Sequence, residues 1–160
     1  MSVFDDFEPC PALHRWLLPR WEGKVVGAWM CGSRRRWRAP RALRRMLGRA
    51  GAVELLEIPE PASLDVLVVV SPLAEGELVP DEIWTALRAG GELVDLATAR
   101  RRGVGDVLRP WVYAQRLREA TARRVRAWLE RGAFGPEQWV AVEPAGVVVT
   151  MVEKSVLPGR

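Results

Sequence analysis

The chain has one histidine, His14, in 160 residues. A histidine-based triad or metal site would have to rest on that single side chain, and its place near Trp16 on a leading helix reads as packing or surface. The two cysteines, Cys10 and Cys31, make no disulfide framework and match no zinc spacing. A thiol at Cys31, ahead of a helix, could be activated, but no histidine motif accompanies it. No Asp/Glu pair has the spacing of glycosidase or metal chemistry. Lysine is scarce as well: Lys24 and Lys154 are the lysines among 24 basic residues, and arginine supplies the rest. No apolar run approaches the ~18 residues that span a bilayer; the longest, Val66 to Val70, has strand length. The start, Met1 to Glu8, is acidic, unlike a secretory signal. A reducing, cytoplasmic setting is the expectation.

What is present suits one domain over residues 1–160, with 1–9 and 155–160 as loose ends. Hydrophobic residues make up 49%, enough for a sizeable core, and eight tryptophans are available to fill it or to line an interface. Net charge is +4 with a pI near 9.8, a field that favours anionic partners without dictating fold.

Apolar spacing predicts a helix over Pro11 to Trp21, ended or bent by Pro19. A strand over Lys24 to Trp29 follows, then an arginine-striped helix over Arg36 to Ala50 that Gly51 stops. A second strand, Ala52 to Ile58, runs into Pro59-Glu60-Pro61. Leu64 to Val70 is apolar on both faces, as a central parallel strand should be. A short helix over Pro80 to Ala89, broken by Gly90-Gly91, leads to a strand over Glu92 to Ala97. A long helix over Leu108 to Arg131 has Trp111, Ala114, Leu117, Thr121, Val125, Trp128 and Leu129 as its inner stripe. Strands Gln138 to Glu143 and Val147 to Glu153 close the chain as a hairpin. This alternation predicts an α/β three-layer sandwich, its sheet mostly parallel, about six strands wide, with the antiparallel hairpin at one edge and the Val25 strand beside the Val66 strand. The expected core contains Val25, Leu55, Val66, Val68, Val70, Leu93, Val125, Leu129 and Val148.

Three segments carry a resemblance. Val25-Val26-Gly27-Ala28-Trp29-Met30-Cys31-Gly32-Ser33-Arg34 is a strand, a loop and a helix start. Leu64-Asp65-Val66-Leu67-Val68-Val69-Val70-Ser71-Pro72 ends a strand at a turn, and Ile83-Trp84-Thr85-Ala86-Leu87-Arg88-Ala89-Gly90-Gly91-Glu92-Leu93-Val94 joins a helix to a strand. Together with the final helix and hairpin, they resemble class I S-adenosylmethionine-dependent methyltransferases, a Rossmann-like family, from residue 11 to about 154. Only a few residues separate Ile58 from Leu64, where that family usually places a helix and a third strand, so the chain resembles a trimmed version.

The resemblance implies a cofactor crevice built by Ala28, Met30, Gly32, Glu57 and Ser71. In the family an acid precedes a glycine-rich loop, glycine allowing positive φ and close approach to the ligand. Here the acid position falls on Ala28 and two glycine positions fall on Met30 and Arg34. Glu57 resembles the acid that holds the ribose hydroxyls, and Ser71-Pro72 the pocket-lining turn. The implied protein is a methyltransferase fold that has lost catalysis and acts as a protein-interaction or regulatory module, as a homo-oligomer or on a protein partner, with no resident cofactor. The alternatives are an active, atypical S-adenosylmethionine-dependent methyltransferase, and a nucleic-acid-associated protein. For the latter, Arg34, Arg35, Arg36, Trp37 and Arg38 mix cations with an aromatic, a combination that can hold phosphates and stack a base.

Overall fold

A computed structural model describes residues 11–31, 41–72, 80–98, 108–133, 138–142 and 147–156. In chain order the elements are α1 (Pro11–Trp21), β1 (Val26–Met30), α2 (Arg41–Arg49), β2 (Ala52–Glu54), β3 (Leu64–Pro72), α3 (Asp81–Ala86), β4 (Leu87–Thr98), α4 (Pro110–Glu130), β5 (Gln138–Val142) and β6 (Val147–Glu153). One six-stranded sheet holds all the strands in the order β2-β1-β3-β4-β6-β5. The first four run parallel, with Val26 opposite both Ala52 and Val66, and the hairpin β5-β6 adds antiparallel strands at one edge.

Alternation along β3 distributes the core. Val66, Val68 and Val70 point to one face and pack with Leu17 and Trp21 of α1 and Leu43, Met46 and Leu47 of α2. Leu67 and Val69 point to the other face, with Ile83 and Trp84 of α3 and Trp128 of α4. Every residue from Val66 to Val70 is fully buried. That is why the run is apolar without alternation: both of its sides meet helices. The sheet is therefore the middle of three layers, as the sequence predicts.

Several boundaries differ from the sequence reading. The helix α1 has the expected bounds, Pro11 to Trp21, and Pro19 does not end it. Val25 lies just outside β1 and is 56% exposed. Its N–H donates to Asp65 Oδ2 at 2.8 Å and its carbonyl accepts from Asp65 and Val66. Backbone pairing, not side-chain burial, fixes Val25, and Val26 takes the inward place. On α4 the buried stripe is Leu117, Ala120, Thr121, Arg124, Val125 and Trp128. Trp111 and Leu129 fall off it and face solvent. Leu55 is half-buried against the α3/α4 face. Val148 lies in β6, but its side chain is outside the described residues, as are the expected loose ends 1–9.

The strand β2 stops at Glu54 rather than Ile58. The helix α3 stops at Ala86 rather than Ala89, because Arg88 to Gly91 form a bulge entering β4: Leu64 pairs with Leu87, yet Val66 pairs with Glu92. Gly90 sits at φ +76°, and a Cβ on Gly91 would meet Leu87 Cδ1 at 2.6 Å and the Arg88 carbonyl at 2.8 Å. The Gly-Gly pair thus folds the chain tightly against β3 instead of simply breaking a helix.

Candidate functional site

Chain connectivity picks out one end of the sheet. From β1 the chain goes first to β2 on one side and then returns to β3 on the other. In open α/β sheets a ligand crevice forms at the carboxyl ends of the strands where such a reversal occurs. Here Met30 pairs with Val70 at those ends, and the N–H of Cys31 donates to the Val70 carbonyl at 2.7 Å.

The residues expected at the crevice do not gather into one polar set. Ala28 is buried within the α1/α2 core, and its carbonyl is taken by Leu55 N–H at 2.8 Å. Met30 is half-buried and packs on the same core. Ser71 is buried at the end of β3. Glu57 is exposed and lies beyond the end of β2, in the irregular segment leading to β3. Gly32 and the basic cluster Arg34, Arg35, Arg36, Trp37 and Arg38 lie outside the described residues. Of the arginine stripe on α2, Arg41, Arg45 and Arg49 are exposed.

The acid that does stand at the end of β2 is Glu54, which the sequence reading passed over. Arg44 of α2 donates to both of its carboxylate oxygens, at 2.7 and 3.0 Å. Reading β2 as long as Ile58 displaced attention to Glu57. Pro59 and Pro61 were the visible stop signals, but the strand needs a partner, and β1 supplies one only through Glu54.

A buried charged cluster was also missed. Asp95, on β4, is 1% exposed and accepts from Arg124 Nε at 2.9 Å, from Arg124 Nη2, and from Trp128 Nε1 at 3.1 Å. Trp128 packs on Trp84 with ring centroids 5.2 Å apart. Arg131 covers Trp128 and Lys154 covers Trp84. Lys154 Nζ donates to the carbonyls of Trp84 and Leu87, closing the end of α3. Burial holds the Lys154 ammonium below the ordinary lysine range. The available signal was Asp95 inside an otherwise apolar strand, with Arg124 and Trp128 one helical turn apart. The cluster ties α3, α4, β4 and β6 together under the sheet.

No group of His, Cys, Asp and Glu suited to a metal ion occurs among the described residues. No described helix is long and apolar enough to cross a membrane.

No protein-family model matches the chain, and no curated protein matches it. Solved structures do. A Methanococcus maripaludis protein assigned to the S-adenosyl-L-methionine-dependent methyltransferases superposes with a TM-score of 0.51 at 14% identity, covering 98% of this chain and 89% of that one. An S-adenosylmethionine-dependent methyltransferase from Thermotoga maritima gives 0.46 at 12% identity, covering 90% and 92%. A Bordetella parapertussis protein thought to be exported gives 0.47 at 12%, covering 91% and 68%. The Methanococcus protein carries the comparison, and at that identity it speaks to fold alone. The chain has a methyltransferase-like Rossmann fold of class I.

Proposed function

We propose that this chain keeps the methyltransferase fold without methyl transfer and works as a protein-interaction module in the cytoplasm. The observation that carries the reading is the state of the acids at the end of β2. Glu54 is held by two charge-assisted hydrogen bonds from Arg44, and Glu57 stands beyond the strand in solvent. A carboxylate holding a ribose must offer free lone pairs to two hydroxyls. Arg44 takes one lone pair on each oxygen of Glu54 and ties its carboxylate to α2, and Glu57 lacks a strand end to aim it. Ala28 gives no carboxylate, and Met30 brings a thioether where close approach would need a glycine. These residues do not fit S-adenosylmethionine.

An interaction surface is available at the same edge. The strand β2 has β1 on one side and closes the sheet on the other. Val53, Leu56 and Ile58, which follow one another along that edge and the loop beyond, are 67%, 85% and 43% exposed. Exposed apolar side chains beside an open strand favour pairing with a protein surface or a second copy of the chain.

Isothermal titration with S-adenosylmethionine tests the reading. The expected outcome is no binding in the micromolar range, beside a dimer or a co-purifying partner in light scattering. A tight stoichiometric isotherm that Glu57→Ala abolishes would replace this reading with the active-enzyme alternative. A strictly monomeric protein at high concentration with no partner would remove the interaction role.

A further inference from the structure

The opposite end of the sheet gathers charged side chains around a cleft. A cleft of about 190 Å³ opens at the amino ends of β3 and β4, between the C-terminal turn of α1 and the end of β6. Its charged lining is Arg20, Lys24, Arg88, Asp65, Glu92 and Glu153, three cations and three carboxylates. Most of this charge is already spent. Arg20 pairs with Glu92 Oε2 at 2.9 Å, and Arg88 with Asp65 Oδ1 at 2.6 Å. Asp65 also holds the N–H of Val25.

Three groups are left over. Lys24 is set on the rim by the turn after α1, its N–H donating to the Trp21 carbonyl at 3.1 Å. Its ammonium makes no hydrogen bond or ion pair with a described residue, and neither does the exposed carboxylate of Glu153. Glu92 Oε1 is buried and has no partner among the described residues. Glu92 and Glu153 are direct cross-strand partners, so their carboxylates stand on the same face of the sheet. Like charges placed directly opposite are unfavourable unless a cation lies between them. Arg20 satisfies one oxygen of Glu92 and leaves the rest of the pair open.

We propose that this cleft binds a small zwitterion of the free α-amino-acid class. The ammonium of the ligand meets the exposed carboxylate of Glu153, and its carboxylate meets Lys24 Nζ. A lining of zero net charge, whose two ion pairs leave one cation, Lys24, and one carboxylate, Glu153, over, matches a ligand carrying both signs better than a plain anion. Its size agrees, since a cavity of ~150 Å³ already accommodates benzene. The site is separate from the carboxyl-end crevice and stands whether or not that crevice takes a cofactor.

The test is a thermal-shift and calorimetric screen of the full chain against the standard free amino acids, with N-acetyl and carboxamide derivatives of each hit. The expected result is saturable stabilisation by at least one free amino acid, as a ligand of the folded state must give. Both derivatives should lose binding. Lys24→Gln and Glu153→Gln should each weaken it by about tenfold or more, and neither should lower the melting temperature of the unliganded protein, since both side chains are exposed and Glu153→Gln also relieves the repulsion from Glu92. The proposal is overturned if no free amino acid shifts the melting temperature. Equal binding by an N-acetyl derivative would make the site a simple anion site and overturn it too. So would unchanged affinity in both variants.

Discussion

The two ends of this sheet are built to different standards. At the amino end several polar groups are paired between elements: Asp65 with Val25 and Arg88, Glu92 through one oxygen with Arg20, Lys154 with the carbonyls closing α3. A Gly-Gly bulge packs against β3 at van der Waals limits. At the carboxyl end, β2 lasts three residues, and the segment after it exposes Leu56, Glu57 and Ile58. A methyltransferase fold places its chemistry at the carboxyl end, by the switch-point rule. Among the described residues, the carboxyl end has the Arg44–Glu54 pair and the other end has the larger set of polar contacts.

The comparison is sharpest if the middle of the sheet couples both ends into one cooperative unit, and Asp95 tests that. Asp95→Ala leaves the Arg124 guanidinium buried without a counter-charge. Breaking one half of a buried pair costs ~3–5 kcal/mol, a large part of an ordinary domain's 5–15 kcal/mol. Urea unfolding should show that loss in a single transition by tryptophan fluorescence and circular dichroism alike. The double variant Asp95→Leu, Arg124→Met should recover most of it. Two separated transitions would mean that the ends melt independently.

The next effect belongs to the amino end alone. Gly91→Ala places a methyl within contact limits of two backbone carbonyls, those of Arg88 and Asp65, which cannot swing aside as a side chain could. Overpacking of this kind costs ~1–3 kcal/mol. Glu57→Ala at the other end removes an exposed side chain and should stay within about 0.5 kcal/mol. If the two variants melt alike, the contrast between the ends is wrong.

How far this was readable in the sequence follows the same division. The run Leu64 to Val70 announced a central strand because burial on both sides leaves no polar position. The hairpin announced itself through two strands around Pro-Ala-Gly. Hydrophobic periodicity reports burial, so it located the middle layer and both helical faces. It could not see Arg124, which is buried by pairing with Asp95, a residue 29 positions away. Nor could it separate Val25 from Val26, because there the choice is made by the Asp65 carboxylate. The candidate crevice was legible only through motif resemblance, and that placed Glu57 on a strand which β1 does not extend far enough to pair. Glu54 and its Arg44 partner sit ten residues apart on different elements, and no local pattern links them.

The smallest effect concerns the pin at the amino end, and pH reads it. The Val25 N–H donated to Asp65, with the Arg88 guanidinium beside it, holds this carboxyl below its usual 3.8 against the opposing effect of burial. A carboxyl whose folded-state pKa lies below the unfolded value stabilises the fold at every pH above the unfolded value, and the contribution drains away as pH falls through the folded one. Asp65→Asn removes the charge and keeps an oxygen for Val25. It should therefore destabilise at neutral pH by no more than ~1 kcal/mol, because Arg88 is half exposed and the pair is screened by solvent. The gap between parent and variant should then close as the pH falls below about 4. Urea midpoints measured along that range check it. A gap that stays constant into acid would mean that Asp65 holds Val25 by hydrogen-bond geometry alone, and that its charge contributes nothing to keeping the amino end closed.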